Sequence, residues 1–215
     1  MQTSPNGPID HVPETKRRIV VAMTGASGVI LGVRTLEILA NTPDVETHLV
    51  ISPSAAVTLR YETNLRVEDL ADLATETHRI TSIGDSIASG SYPVDGMIIT
   101  PCSIKTLSAV ANCYSDNLIT RAADVTLKEG RPLVLVVRET PLHLGHLRLM
   151  RVAAESGAIL MSPVPAFYPK PETVDEIVDH IARRGLTRLG LTDVGPPPWT
   201  GPPSAGAEQT VGRMT

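Results

Sequence analysis

Residues 17–32 read RRIVVAMTGASGVILG, and they predict the start of an α/β fold. The segment RIVVAM is an apolar run typical of a buried strand, and residues 28–40 carry apolar side chains at helical spacing. A glycine-rich turn, from Thr24 to Gly28, joins the two segments. Such a turn can offer backbone N–H groups and a helix N-terminus to an anion.

The spacing of this turn fits neither of the two common nucleotide-binding fingerprints. A dinucleotide-binding turn needs glycine at positions 25, 27 and 30, but the chain has Ser27 and Ile30. A P-loop needs Gly-Lys-Ser/Thr at positions 30–32, where the sequence reads Ile-Leu-Gly. The residue pattern leaves two interpretations open, which are an anion-binding turn and a plain helix cap made by Ser27.

Aliphatic runs and helical stretches alternate along the rest of the chain. Further strands are predicted at residues 47–52, 96–101, 132–137 and 158–161, with Pro101 stopping the strand that contains it. Helices are predicted at residues 55–62, 67–74, 104–112, 118–130, 143–156 and 174–186, with Gly130 in the position of a helix C-cap. Continuous aliphatic strands are buried on both faces, and strand–helix alternation gives parallel pairing with right-handed crossovers. The pattern therefore predicts one doubly wound α/β domain of three layers around a parallel sheet.

Composition argues against several classes of protein. A net charge of −4 over 215 residues gives no reason to expect nucleic acid or an anionic membrane as a partner. No apolar run reaches the roughly 18 residues that a membrane span needs. The two cysteines form neither a disulfide framework nor a zinc site, so we expect a cytoplasmic protein.

The two ends of the chain differ from its middle. Residues 1–17 are polar and lack the apolar segment of a signal peptide, so we expect a disordered N-terminal arm. Residues 191–215 form a Pro/Gly-rich tail that contains Trp199, the only tryptophan. The predicted domain spans residues 18–190.

Polar residues cluster just after the predicted strands, where parallel α/β sheets bind ligands. Ser52 follows the second strand, and Ser103 and Thr106 lie one helical turn apart after the third. For these residues helix capping is the simpler interpretation. Arg138 and Glu139 end the fourth strand, and a charged pair at this edge of the sheet favours a functional role.

Two further positions at the strand ends bear on function. Tyr168 follows the fifth strand, in a loop that Pro163 and Pro165 stiffen. Cys102 has no histidine near it in the sequence, so we expect an inert buried thiol instead of a nucleophile.

Cationic residues and histidines complete the set of candidates. Arg121 and Lys128 are seven residues apart and share one face of a predicted helix, and Arg184 lies on the last helix. His143 and His146 are three residues apart, but the sequence shows no third ligand beside them. We therefore expect no metal there.

Several long blocks of the sequence resemble the UbiX-type flavin prenyltransferase family. They are MTGASG (23–28), ETHLVIS (46–52), IASGSY (87–92), DGMIITPCSIKTLSA (95–109), NLITRAADVTLKEGRPLVLVVRETPLHLGHLRLM (117–150) and SPVPAFYPKPET (162–173). The similarity spans residues 18 to about 201. It implies a flavodoxin-like or Rossmann-like fold, assembly as a homododecamer, and metal-independent transfer of a dimethylallyl group from dimethylallyl monophosphate to N5 and C6 of reduced FMN. The product, prenylated FMN, would pass to a UbiD-type decarboxylase.

The same resemblance implies roles for individual residues. FMN would be held by Gly25, Ala26, Ser27, Ser52, Ser103, Ile104, Lys105, Thr106 and Arg138. The prenyl phosphate would be held by Arg121, Lys128, Tyr168 and Arg184. Ser27, Glu62 and Glu139 would handle protons. These residue types suit the chemistry, because without Mg²⁺ fixed cations must stabilise the leaving phosphate, and ring closure at C6 releases a proton to a base.

The chain departs from the family pattern beside the proposed flavin site, where Val29 and Leu31 replace the Ala and Tyr that are frequent there. Two alternative functions stay open at this point. One is an FMN-dependent cysteine decarboxylase-like flavoprotein, and the other is a non-catalytic FMN-carrying subunit of a decarboxylase. The cationic residues and Tyr168 favour prenyl transfer.

Overall fold

The computed structural model describes residues 16–201, which form a six-stranded parallel sheet with helices on both faces. The strands are β1 (Arg17–Met23), β2 (Val45–Ile51), β3 (Glu76–His78), β4 (Gly96–Cys102), β5 (Leu133–Val137) and β6 (Ile159–Met161). The helices are α1 (Ile30–Ala40), α2 (Pro53–Glu62), α3 (Val67–Ala71), α4 (Ile104–Ala111), α5 (Leu118–Lys128), α6 (Leu144–Glu155) and α7 (Val174–Arg188). Short 3-10 turns cover Ser86–Ala88 and Thr192–Val194. The predicted doubly wound, flavodoxin-like α/β fold is confirmed.

The sheet runs in the order β3-β2-β1-β4-β5-β6. The strand order reverses direction between β1 and β4, which is where ligands bind in open α/β sheets. Alternate residues of β1 enter two different cores: Ile19 and Val21 pack under α1 and α7, whereas Val20 and Ala22 pack under α4, α5 and α6. A sheet covered on both faces explains why its strands read as continuous aliphatic runs.

Helix boundaries follow from local capping residues. Thr173 caps α7 by accepting from the Glu176 N–H at 3.2 Å, and the Glu176 carboxylate accepts from the Thr173 N–H in return. The chain leaves α5 through Gly130, whose φ of +68° is the left-handed conformation that glycine adopts easily. The predicted C-cap role of Gly130 is therefore confirmed.

The structure differs from the sequence prediction at two strands. Pro101 does not stop a strand: β4 continues through it to Cys102, and a register shift between Ile99 and Cys102 accommodates it in the pairing with β5. Strand β3 was missing from the prediction because its three residues, Glu76–His78, are polar and two of them are exposed. The other edge strand, β6, is equally short, but its aliphatic residues made it recognisable.

The ends of the chain are described only in part. The predicted N-terminal arm lies outside the described residues apart from Lys16 and Arg17, and Arg17 already belongs to β1. In the predicted tail, residues 202–215 also lie outside them, whereas Trp199 packs edge-on against Tyr168 with ring centroids 5.4 Å apart. Among the described residues no helix is both long and apolar enough to cross a membrane.

Candidate functional site

A groove of about 900 Å³ opens at the carboxyl ends of the central strands. It collects several residues that the sequence predicted for one site, namely Gly25, Ser52, Ser103, Ile104, Lys105, Thr106 and Glu139. Ala26, Ser27 and Arg138 are their immediate neighbours in the chain. The predicted location, at the strand ends where the sheet order reverses, therefore corresponds to a real cavity of the size that small ligands occupy.

Hydrogen bonds tie the strand ends at the floor of this groove together. The Thr24 hydroxyl donates to the Pro101 carbonyl at 2.9 Å and accepts from the Ser103 N–H at 2.8 Å. The Ser52 N–H donates to the Met23 carbonyl at 2.9 Å. The ends of β1, β2 and β4 are consequently held in fixed relative positions.

Three helices begin at the groove, and each has a side-chain cap. Ser52 caps α2 by accepting from the Ala55 N–H at 3.1 Å, and Ser103 caps α4 by accepting from the Thr106 N–H at 3.4 Å. Asn117 caps α5 in the same way. The capping roles expected for Ser52 and Ser103 are confirmed. Because three helix N-termini point their positive ends at one cavity, the groove favours an anion.

The N-terminus of α1 is arranged differently. The carboxylate of Glu62 accepts from the Gly28 N–H at 2.8 Å and from the Val29 N–H at 3.1 Å. The cap position is Val29, and no side chain caps the helix there. The interpretation of Ser27 as a helix cap is therefore wrong, and the anion at this helix end is a carboxylate of the chain itself.

The glycine-rich turn lies close to the start of α2. A side chain at Gly25 would collide with Ser54, so only glycine lets the turn approach α2 this closely. Ser27 follows as an exposed residue whose hydroxyl makes no hydrogen bond to any residue from 16 to 201. The hydroxyl is thus free to contact a bound molecule.

The two departures from the family pattern are core residues in this chain. Val29 is fully buried and Leu31 is 5% exposed, and both pack with Val33 and Leu36 beneath α7. Their side chains fill the helix–sheet layer, and neither residue lines the groove. The two departures from the family pattern therefore lie in the core and not in the lining of the groove.

Charged residues that follow β5 and several apolar side chains complete the surroundings of the groove. Arg138 continues the β5 ladder by donating its N–H to the Cys102 carbonyl at 3.1 Å, and its side chain is half-buried. Glu139 is exposed and lines the groove. Ile80, Ile104 and Ile119 supply an apolar surface beside these charges.

Neither cationic residue of α5 lines the groove. Arg121 is paired with Asp124 at 2.9 Å, and Lys128 is paired with Glu129. Lys128 is the last residue of α5, where the chain returns to the amino ends of the strands. Arg131 lies at this amino-terminal edge of the sheet, because it donates hydrogen bonds to the Gly90 and Tyr92 carbonyls just before β4.

Tyr168 and Arg184 lie on the other side of the molecule. The Tyr168 hydroxyl is 3.2 Å from Nε2 of His180 on α7, and Arg184 is exposed near the C-terminal end of the same helix. Helices α5 and α7 cover opposite faces of the sheet. One chain therefore does not bring Arg121 and Lys128 together with Arg184 around the groove.

Some groove residues were missed by sequence reasoning. Tyr114, Asp116 and Asn117 line the cavity, as does Thr24, which the sequence had placed in the glycine-rich turn. The spacing of Asn117 and Thr120 is that of a helix cap and could have identified the start of α5. No signal in the sequence marks Tyr114, which belongs to an irregular loop.

The structure locates the His143–His146 pair and the Cys102 thiol, which the sequence had marked as candidates. His143 caps α6 by accepting from the Gly145 N–H at 3.0 Å, and its ring stacks on His146 with centroids 3.6 Å apart. No third ligand residue joins them among residues 16–201. Cys102 is fully buried, as expected, and burial raises the pKa of its thiol to about 12, which disfavours the reactive thiolate.

Comparisons with known proteins agree with this picture. The family model described as Flavoprotein matches residues 9–185. The chain is 58% identical over 174 residues to the flavin prenyltransferase UbiX of Thauera aromatica, which covers 81% of this chain and 89% of that one. A dodecameric FMN-dependent UbiX-like decarboxylase from Escherichia coli O157:H7 superposes with a TM-score of 0.82 and 47% identity, over 86% of this chain and 99% of that one. AnUbiX (PadA1), in complex with FMN and dimethylallyl pyrophosphate, superposes with a TM-score of 0.83 and 45% identity, over 86% of this chain and 98% of that one.

Proposed function

The chain belongs to the flavoprotein family, as one of its UbiX-type flavin prenyltransferases, and we propose that it joins a dimethylallyl group to N5 and C6 of reduced FMN. The chain is accordingly an enzyme of the transferase class. The observation that carries the proposal is the groove at the strand ends, where three helix N-termini meet a glutamate and an apolar wall, beside the turn that carries the exposed Ser27. This arrangement occurs in a chain that is 58% identical to a named flavin prenyltransferase.

The residues of the groove fit FMN by their chemistry. A phosphate suits the capped starts of α2 and α4, where Ser52, Ser103 and Thr106 add hydroxyl groups. A flavin ring suits the apolar wall of Ile80, Ile104 and Ile119. Lys105 is exposed at the rim and adds a positive charge next to the helix ends. We propose that Gly25, Ala26, Ser27 and Arg138 complete this binding site.

Bound reduced FMN would supply the electron-rich ring that accepts the prenyl group. The residues of the chain then have two tasks, which are to stabilise the charge of the departing phosphate and to move protons. Fixed guanidinium and ammonium groups perform the first task without reorganising during the reaction. The apolar wall limits the access of water to the reacting carbon atoms.

The proposed proton-handling residues surround the glycine-rich turn. Glu139 lines the groove, and its carboxylate is available as a base because its one hydrogen bond comes from the neighbouring Thr140 N–H at 3.0 Å. The Ser27 hydroxyl makes no hydrogen bond within residues 16–201. Glu62 accepts from the Gly28 and Val29 N–H groups just before α1 and thereby holds the residues that directly follow Ser27. Any direct proton transfer by Glu62 would add to this positioning role.

We propose that the prenyl phosphate site is shared between subunits. Arg121 and Lys128 project from one face of the protomer, and Tyr168 and Arg184 from the other. Residues that hold one phosphate must meet within hydrogen-bonding distance, and a neighbouring subunit can provide the missing half. A UbiX-like relative forms a dodecamer, and we propose the same homododecamer for this chain.

The identity of the prenyl donor is the finer part of the proposal. A relative was solved with dimethylallyl pyrophosphate. We propose dimethylallyl monophosphate as the donor of this chain, because a few cationic side chains can balance one phosphate group more completely than two. Turnover with each donor under identical conditions distinguishes them.

The two alternative functions have less support. A cysteine decarboxylase has no need for an additional phosphate-binding set beyond that for FMN, and we propose that Arg121, Lys128, Tyr168 and Arg184 form such a set. A non-catalytic FMN carrier has no need for Glu139 in the groove. Under the carrier alternative, Glu139→Gln would leave production of the modified flavin unchanged.

A coupled assay tests the proposed function and its recipient together. The chain is incubated anaerobically with reduced FMN and dimethylallyl monophosphate, and the mixture is added to an apo-form UbiD-type decarboxylase. We expect decarboxylase activity only when the chain, the flavin and the prenyl donor are all present. Activation that needs the flavin but no donor would support the FMN-carrier alternative instead.

A further inference from the structure

A second cluster of reactive side chains lies outside the groove, on the edge of the sheet formed by β2 and β3. In the parallel register His48 stands opposite Glu76, and His78 follows two residues later on β3. Side chains two residues apart in a strand share a face, so all three point to the same side of the sheet. Their potential ligand atoms all lie within 4.8 Å of one another.

The hydrogen bonds of this cluster determine where the protons are. Nδ1 of His78 lies 2.9 Å from the Asp85 carboxylate, and its N–H donates a hydrogen bond to that carboxylate. The pKa of Asp85 is held below its usual value, first by this hydrogen bond, so the carboxylate is ionised at neutral pH. Nε2 of His78 therefore carries a lone pair, and it faces Nδ1 of His48 at 3.0 Å.

From this geometry we infer that His48, His78 and Glu76 bind one divalent transition metal ion, for which zinc is the best match. The ligands would be Nδ1 of His48, Nε2 of His78 and the Glu76 carboxylate, with a water molecule in the fourth position. Neighbouring ligands of a tetrahedral zinc ion lie about 3.3 Å apart when the bonds are about 2.0 Å long. The two ring nitrogens are 3.0 Å apart, and the Glu76 carboxylate lies 3.5 Å from Nδ1 of His48.

Both histidines have the outer hydrogen-bonding partners that metal-binding histidines normally have. Asp85 orients His78 through Nδ1, which is the carboxylate–histidine–metal arrangement of many zinc sites. The Tyr92 hydroxyl lies 3.4 Å from Nε2 of His48. If a metal replaced the hydrogen bond between the rings, the proton of His48 would move from Nδ1 to Nε2. The Nε2–H group would then donate a hydrogen bond to the Tyr92 oxygen.

The burial of the cluster suits a bound ion. His48 is 2% exposed and His78 is 4% exposed, so both rings are held in place by the surrounding structure. The Glu76 side chain is 52% exposed on the edge strand, so an ion can reach the cluster from the solvent.

A metal ion here would stabilise the edge of the sheet that β3 forms. Strand β3 has three residues at the sheet edge, and an ion bound to His78 and Glu76 would cross-link it to β2. Ile80, two residues beyond His78, lines the groove. The ion would thus stabilise one wall of the groove without being part of the prenyl-transfer chemistry.

Zinc titration of the tag-free, full-length protein tests this inference. The protein is first treated with a chelator, and zinc is then added in competition with a chromophoric chelator. We expect one zinc ion per chain and a rise in the unfolding temperature on zinc addition. Cobalt substitution provides a second readout, because tetrahedral cobalt has a strong visible absorption.

Matched variants locate the site. Glu76→Gln should lower zinc affinity about tenfold or more, and Asp85→Asn about 10- to 100-fold through His78. Glu68→Gln, an exposed carboxylate on α3, and His146→Gln should leave it unchanged. The absence of stoichiometric binding would overturn the inference, as would affinity that depends on His146 but not on Glu76. The readout is independent of prenyl transfer, so failure here leaves the proposed function untouched.

Discussion

At the scale of single residues, the most informative difference between sequence and structure concerns Ser27. The sequence left open whether this serine capped α1 or contacted a ligand. In the structure the Gly28 and Val29 N–H groups, just before α1, donate to Glu62, and Ser27 is exposed. Glu62 lies 34 residues beyond Gly28 in the chain. A tertiary contact of this kind has no signature in a local pattern, so the competition between Ser27 and Glu62 for the helix end could not be predicted.

Replacing Ser27 separates a structural role from a chemical one. Because Ser27 caps no helix, Ser27→Ala should change the free energy of unfolding by less than about 0.5 kcal/mol. Flavin prenylation should be lost while FMN still binds. Urea denaturation, FMN fluorescence titration and product analysis measure the three quantities.

Thr173→Ala is the matched control for this experiment. It removes a real helix cap on α7 and should cost about 1 kcal/mol of stability. Thr173 lies outside the groove, so FMN binding should be unaffected. A Ser27→Ala protein that is as destabilised as Thr173→Ala, with normal turnover, would contradict the proposed role of Ser27.

The two cysteines should differ sharply in reactivity. Cys113 is exposed, whereas Cys102 is fully buried and its pKa is raised by burial to about 12. We expect a disulfide reagent at mildly alkaline pH to modify one thiol per native chain and two per unfolded chain. Cys113→Ser should abolish the reaction of the native protein. Reaction of native Cys102 would show that the end of β4 opens in solution.

At the scale of secondary-structure elements, the long aliphatic strands and amphipathic helices were predicted from their periodicity. Elements defined by tertiary contacts were not. Strand β3 exists because Glu76 to His78 pair with β2. Strand β4 continues through Pro101, whose carbonyl accepts from the Thr24 hydroxyl, and the same hydroxyl accepts from the Ser103 N–H just beyond the strand. The capped starts of α2 and α4 were predicted as caps, and only the fold shows that they face one groove.

The β2–β3 edge should make stability depend on pH. The pKa of His48 in the folded state lies below the ordinary value of about 6.5, so in the interval between these values the unfolded chain binds more protons. The stabilisation is complete above about pH 6.5 and is lost as the pH falls. The charged and titratable groups that face His48 are His78, Glu76, Glu46, Arg18 and Tyr92.

Urea denaturation of metal-free protein at a series of pH values measures this effect. The free energy of unfolding should fall by up to about 1.4 kcal/mol per pH unit, the value for one proton, below the ordinary histidine pKa. The His48→Gln variant should show a smaller slope whatever its absolute stability. Equal slopes in the two proteins would contradict the assignment.

At the scale of the whole molecule, the fold and the groove proposed for FMN belong to one chain, and the proposed phosphate residues do not converge within it. Arg121 and Lys128 lie on α5, on one face of the sheet, and Arg184 lies on α7, on the other. The sequence carried all of these residues in matching blocks, yet it could not show that they face different directions. A site completed between subunits accounts for both observations.

Mixed oligomers test whether subunits share the phosphate site. Lys128→Ala and Arg184→Ala chains should each be inactive when assembled alone. Co-expressed chains should regain a fraction of the activity, because some interfaces then combine an intact Lys128 from one subunit with an intact Arg184 from another. No recovery in mixed oligomers of normal size would place both residues of each site in the same chain.

The central claim is that this chain transfers a prenyl group to flavin, and the mass of the flavin tests it most directly. Purified protein is incubated anaerobically with reduced FMN and dimethylallyl monophosphate, and the flavin is extracted and analysed by mass spectrometry. We predict a mass gain of one C5 unit that requires both the protein and the donor and is strongly reduced in Glu139→Gln. Recovery of unmodified FMN from a protein that binds both molecules would contradict the account.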